Sequence, residues 1–100
     1  MPAPQAQDHH PDQILDFLAK RGFDGLRARK RGTAVIVESG PHSEPLNHFR
    51  VRRDTVHLWR LDFADHRGRW ESTLFRGQLD ALLEIVVSQF PWTISNPERI

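Results

Sequence analysis

The spacing of apolar residues near the start of the chain predicts one short amphipathic helix. Pro11 suits the first turn of such a helix, because its missing N–H would have no partner there. We predict a helix over residues 12–21 that is closed by Gly22, since glycine adopts the left-handed backbone of a helix C-terminus without strain. Four apolar residues share the face that we expect to be buried: Ile14, Leu15, Phe17 and Leu18.

Small and polar residues dominate the segment that precedes this helix. The stretch MPAPQAQDHH has no apolar repeat, so we predict a flexible tail over residues 1–10. The remaining residues, 11–100, have the length of one domain. We therefore predict a single folded unit that follows a short tail.

Residues 25–75 carry the two-residue alternation that is typical of half-buried strands. Arg31-Gly32 is a turn signal between the first two alternating segments, which together predict a hairpin. The stretch SGPHSEP is a loop by its composition. The predicted strand segments are residues 25–30, 33–38, 48–53, 56–63 and 69–75.

The last periodic segment predicts a second helix, which Pro91 ends. Its apolar stripe consists of Leu79, Leu82, Leu83, Val86 and Phe90. Ile85 lies off this stripe, so it is either a scattered surface residue, which is common, or a contact for a partner. The elements together predict an α+β fold: an antiparallel sheet of about four or five strands, with an N-terminal and a C-terminal helix packed on one face.

The length of the loop before Trp59 decides which face of its strand is buried. A three-residue loop, Arg53–Thr55, pairs Phe49 with Trp59 and puts both in the core. A two-residue loop, Asp54-Thr55, pairs Arg50 with Trp59 instead and leaves an exposed surface of arginine and tryptophan.

We favour the register that buries Trp59. Burying it together with Leu61 and Phe63 gains about 1.5–3 kcal/mol for each large side chain. Asp-Thr also lacks the Asn-Gly or Gly-first chemistry of two-residue hairpin loops. A four-residue loop over residues 65–68 would extend the same apolar face. Its predicted pairs are Phe63 with Trp70, Leu61 with Ser72 and Trp59 with Leu74.

The net charge of +1 conceals a basic block in the middle of the chain. Residues 20–60 hold ten Lys and Arg against four Asp and Glu, and both flanking segments are acidic. This block is either a self-compensating solvated surface or a surface that binds anions. The candidate anion-binding residues alternate outward on the predicted strands: Arg27, Arg29, Arg50, Arg52 and Arg60.

Composition and motifs argue against catalysis and against a resident cofactor. The chain has no cysteine, which excludes disulfides and thiolate chemistry. Its six histidines show no closed metal-ligand spacing, and we find no phosphate-binding glycine loop. We therefore expect no metal, no cofactor and no enzymatic activity.

The leading hypothesis is a non-enzymatic binding or regulatory module that contacts a protein partner or a second copy of itself. The alternative is a nucleic-acid-binding domain that uses the arginine-rich open face of the sheet. No apolar run approaches the roughly 18 residues of a membrane span, so we expect a cytoplasmic protein without a membrane partner.

Overall fold

The computed structural model describes residues 3–94, in which the predicted helices and strands appear in the predicted order. The elements are α1 (His10–Lys20), β1 (Arg27–Arg31), β2 (Ala34–Ser39), β3 (Leu46–Arg53), β4 (Trp59–Ala64), β5 (Trp70–Gly77), α2 (Leu79–Gln89) and a 3-10 turn (Pro91–Thr93). Each strand pairs antiparallel with the next, so the sheet order follows the chain order. The predicted α+β fold is confirmed.

Both helices pack on the same face of the sheet, which we call the inner face. Alternate strand residues supply the sheet's part of this core, as a two-residue period requires. The buried strand residues are Val35, Val37, Phe49, Val51, Trp59 and Leu61. Those of the helices are Ile14 and Leu18 in α1 and Leu79, Leu82, Leu83 and Val86 in α2.

The first helix begins two residues before the predicted start and ends at Lys20, one residue before the predicted end, with Gly22 just beyond it. Gly22 has a φ of +88°, and its N–H donates to the carbonyl of Ala19 at 3.0 Å. The next N–H, of Phe23, donates to Leu18 at 2.9 Å. These two bonds provide donors for carbonyl groups of the last turn, and the carbonyl of Leu18 also accepts from the N–H of Arg21 at 3.1 Å.

The described part of the predicted tail, residues 3–10, contacts the sheet. Ala6 is buried, and its N–H donates to the carbonyl of Gly32 at 2.9 Å. The guanidinium group of Arg53 donates to the carbonyl of Gln5 at 2.7 Å and to that of Val56 at 2.6 Å. The flexibility of residues 1–10 stays a prediction.

The register between β3 and β4 differs from the predicted pairing, although the predicted face is correct. Arg53 pairs with Trp59, and Phe49 pairs with Phe63, so the predicted pair of Phe49 and Trp59 is wrong. The connecting loop has five residues, 54–58, because the N–H of Asp54 donates to the carbonyl of Leu58 at 2.8 Å. The pairing moves by four residues, an even number, so Trp59 is still buried at 3% exposure.

The predicted register between β4 and β5 is also wrong, and the difference changes which residues of β5 are exposed on the outer side of the sheet. Ala64 pairs with Trp70, so the loop spans five residues, 65–69. A carboxylate oxygen of Asp65 accepts from the N–H groups of Arg67 at 2.8 Å and Arg69 at 2.9 Å, which stabilises the longer loop. The pairing at the loop moves by one residue, an odd number, and places Trp70, Ser72 and Leu74 on the face away from the helices.

Two leucines on neighbouring strands give a direct test of this corrected register. Leu61 is fully buried on the inner face, whereas Leu74 is 101% exposed on the other face. We expect Leu61→Ala to lower the free energy of unfolding by about 2–5 kcal/mol, because the change leaves a cavity. Leu74→Ala, the matched control, should change it by less than about 0.5 kcal/mol. Urea unfolding at neutral pH measures both values, and equal losses would contradict the register.

Candidate functional site

The face of the sheet opposite the helices, which we call the outer face, is dominated by arginine. The strand pairings place two rows of residues side by side across it. One row runs Arg29, Ile36, Arg50, Asp62 and Ser72, and the next runs Arg31, Ala34, Arg52, Arg60 and Arg76. Since like charges on directly opposed residues repel, this face requires carboxylates between the arginines.

Asp62 on β4 provides the central carboxylate. Its side chain has no exposed surface, although no helix within residues 3–94 covers this face, because two arginines lie over it. Arg50 donates from Nε at 2.7 Å, and Arg52 donates from both Nε and a terminal nitrogen, the latter at 3.1 Å. Arg52 therefore holds the carboxylate in the two-bond geometry that guanidinium groups favour.

The charges around Asp62 fix its ionisation. Burial alone would raise the pKa of Asp62, but the hydrogen bonds and positive charges of Arg52 and Arg50 lower it below the usual value. The same pairing raises the pKa of Arg52. Both groups thus keep their charges throughout the physiological pH range.

Two further carboxylates each bind two arginines. Glu38 is almost fully buried and contacts Arg27 at 3.1 Å as well as Nε of Arg29. Burial would raise the pKa of Glu38, but the hydrogen bonds from Arg29 and Arg27 lower it. Asp54, which follows β3, contacts Nε of Arg76 at 2.5 Å and Nε of Arg60 at 3.3 Å. The hydrogen bond from Arg76 is the largest cause of the lowered pKa of Asp54.

These three clusters leave an excess of positive charge on the outer face. Six arginines share three carboxylates, which gives a net charge of +3. The side chains of Arg29, Arg60 and Arg76 remain 46%, 47% and 44% exposed. Each of these three contacts its carboxylate through Nε, and within residues 3–94 its terminal nitrogens make no hydrogen bond. Those nitrogens are available donors for an anion.

A tryptophan lies among the arginines, but it is Trp70 and not Trp59, the residue whose exposure the sequence analysis considered. Trp70 on β5 is half-buried, and the guanidinium carbon of Arg50 lies 4.8 Å from the centre of its ring. This is the geometry of a cation–π contact. Leu74, two positions beyond Ser72 on the same side of β5, is fully exposed. The outer face therefore combines arginine, an aromatic ring and an apolar side chain.

The structure brings together all five arginines that the strand alternation selected, and it adds three residues that were not predicted there: Arg31, Arg76 and Trp70. Arg27, Arg29, Arg50, Arg52 and Arg60 all lie on the outer face. Trp70 was missed because the predicted loop was one residue too short, and Arg76 because the predicted strand ended at Phe75, whereas β5 continues to Gly77. The signal was present in the sequence, since Asp65 and Gly68 occupy the first and last positions of a type I turn.

Ile85, the candidate partner contact, is not part of this surface. It lies on α2, partly buried against the core on the inner side of the sheet. The helix layer carries negative charge instead: Asp12, Asp16 and Asp80, against the single positive charge of Lys20, line a groove along α1 and the start of α2. The near-neutral net charge of the chain thus arises from two layers of opposite sign.

Two buried histidines lie on the helix side of the sheet. His48 contacts the carbonyl of Thr93 at 2.8 Å through Nδ1 and the hydroxyl of Ser39 at 2.7 Å through Nε2. Burial lowers the pKa of His48, and the hydrogen bond to Thr93 opposes this only in part. His10 accepts a hydrogen bond from the N–H of Gln7 at 2.9 Å, and burial likewise lowers its pKa.

His10 also lines an open pocket together with His57, Trp59 and Asp80. Across the described residues, 3–94, His, Asp and Glu side chains form no group of three or more that could hold a metal ion. This pocket therefore gives no indication of a metal centre.

Comparison of the chain with protein-family models, curated proteins and solved structures finds no match. In the part of the chain that the structure describes, no helix has both the length and the apolar character needed to cross a membrane. The function must therefore be argued from the geometry of the outer face.

The Asp62 cluster should contribute measurably to stability. We expect Asp62→Asn to lower the free energy of unfolding by about 3 kcal/mol, the lower end of the range for a broken buried ion pair, because both guanidinium groups remain partly hydrated. Asp54→Asn, which changes a more exposed carboxylate that also binds two arginines, should cost less.

The pH dependence of unfolding tests whether the stability lost in Asp62→Asn is electrostatic in origin. The pKa of Asp62 is lowered by folding, so its contribution is complete above about pH 4 and disappears as the pH falls through the folded value. Urea unfolding of both proteins should show the difference between wild type and Asp62→Asn shrinking in acid. A constant difference across pH would contradict an electrostatic origin.

The buried histidines predict a second, separate pH effect. Folding lowers the pKa of His48, so the stability of the wild type should be greatest above about pH 6.5 and should fall as the pH drops through that value toward the folded pKa. His48→Asn should show a shallower fall between neutral pH and about pH 5. His42→Asn, in an exposed loop, is the control, and an identical slope in all three proteins would contradict the assignment.

Proposed function

We propose that this protein is a non-enzymatic binding module that holds an anionic partner on the outer face of its sheet. The observation that carries the proposal is the sharing of three carboxylates by six arginines on a face that no helix within residues 3–94 covers. A fixed excess of positive charge on one face attracts anions from solution and orients them.

The roles of the arginines divide in a way that supports binding. Arg52 uses two nitrogens on the buried carboxylate of Asp62, so it chiefly maintains the sheet. Arg29, Arg60 and Arg76 use Nε and keep their terminal nitrogens available. Guanidinium groups whose stems are held in place lose less entropy when they bind phosphate or carboxylate.

The same electrostatics argue for binding rather than catalysis at this face. General acid–base chemistry needs a group whose pKa lies near the working pH. The pKa values of Glu38, Asp54 and Asp62 are lowered and that of Arg52 is raised, so these groups hold their charges instead of exchanging protons. The hypothesis of a protein partner stays a prediction. An acidic protein that bound to the outer face would contact the same arginines.

Retention on immobilised heparin and binding to inorganic polyphosphate test this proposal. We expect the wild type to bind both at about 50 mM salt and to lose much of its affinity by about 200 mM. Arg29→Gln combined with Arg60→Gln should weaken binding strongly. Each carboxylate keeps one arginine in this variant, Glu38 keeping Arg27 and Asp54 keeping Arg76, so we expect it to fold.

The matched control removes two positive charges from α1 and its end, through Lys20→Gln combined with Arg21→Gln. It has the same net charge as the test variant, so we expect wild-type binding from it if the outer face is the site. Equal weakening in both variants would show a non-specific charge effect. Absence of wild-type binding at low salt would also refute the proposal.

A further inference from the structure

The surroundings of Trp70 add information that charge alone does not supply. Its cross-strand neighbour on β4 is Ala64, and its neighbour two residues along β5 is Ser72, so both adjacent side chains are small. Arg50 lies against the ring at 4.8 Å. An aromatic ring that stands beside small residues and is supported by a guanidinium group resembles a stacking platform.

We propose that the anionic partner is a single-stranded nucleic acid, one base of which stacks at Trp70 while phosphates of its backbone contact the exposed arginines. This inference rests on the proposed function, and it names the class of ligand. Alternate residues of a strand lie roughly 7 Å apart, so a base that stacks on Trp70 would lie over Ser72. Leu74 lies roughly 7 Å beyond Ser72 on the same strand and would limit the stacking site in that direction.

The positions of the arginines fit a backbone that crosses the sheet. Arg50 lies next to Trp70, and Arg52, Arg60 and Arg76 form a continuous row on β3, β4 and β5. Neighbouring strands are about 4.8 Å apart, so this row spans about 10 Å. The row lies about 13 Å along β4 from Ala64, the partner of Trp70, so phosphates beyond those next to the stacked base would reach it.

A single strand fits this surface better than a duplex or an acidic protein. The bases of a duplex are stacked on one another, so a duplex would meet the arginines and leave Trp70 without a base to contact. An acidic peptide would likewise satisfy the arginines, but its carboxylates need no aromatic platform. The test therefore includes duplex DNA and poly-glutamate as competing ligands.

The binding experiment compares Trp70→Leu with the wild type, using oligo(U) and oligo(dT) of about 12 nucleotides. Leucine keeps an apolar side chain but removes the stacking ring. We expect the affinity for both oligonucleotides to fall about 10- to 100-fold, which corresponds to the measured range for one stacked base. Binding of polyphosphate should change less than about twofold, because the arginines remain.

The matched control is Trp92→Leu, because Trp92 is also exposed but follows α2 rather than lying on the outer face. It should bind oligonucleotides as the wild type does. Wild-type affinity in Trp70→Leu, equal losses in both variants, or tighter binding of duplex DNA or poly-glutamate would overturn the inference and leave the proposed function standing. Absence of binding to every polyanion would refute both.

Tryptophan fluorescence supplies a readout that does not require Trp70→Leu to fold. In a Trp92→Phe variant the remaining tryptophans are Trp70 and Trp59, and Trp59 is only 3% exposed. We expect oligo(U) to quench the fluorescence of this variant, whereas polyphosphate should not. Binding of oligo(U) without quenching would overturn the stacking inference, since a base at Trp70 must alter its emission.

Discussion

Two arginines on one strand share a single buried carboxylate on the next, and the organisation of the outer face depends on this interaction. Arg50 and Arg52 cover Asp62 so completely that its side chain has no exposed surface. Without this charge, Arg52 would face Arg60 across the strands with Asp54, which also binds Arg76, as the nearest remaining carboxylate. Ile36 and Ala34 are buried although no helix within residues 3–94 lies over them, and each pairs with an arginine on both neighbouring strands. We attribute their burial to the aliphatic stems of these arginines.

The distribution of charge between the two layers connects this interaction to the proposed function. The three arginine–carboxylate clusters of the outer face keep three positive charges in excess, and an acidic groove lies on the helix side. A chain that is almost neutral as a whole can therefore present a cationic surface in one direction only. Such a surface orients an anionic partner without making the entire protein bind anions.

The sequence predicted the elements and the inner face because the two-residue and helical periods are local properties. It did not predict the pairing of strands, since this depends on hydrogen bonds within two loops. An even shift at residues 54–58 left Trp59 buried as expected. An odd shift at residues 65–69, which Asp65 stabilises, moved Trp70 to the outer face and beside Arg50. The position of Trp70, on which the proposal of a nucleic-acid ligand depends, is therefore tied to the loop that Asp65 stabilises.

The most direct measurement of the central claim is an NMR titration of the backbone amides with oligo(U) at low salt. The account predicts that the perturbed amides cluster on β3, β4 and β5 around Arg50, Arg60 and Trp70, and that those of α1 and α2 remain unchanged. Perturbations centred on the helices, or spread evenly over the protein, would contradict the assignment of the outer face as the binding surface.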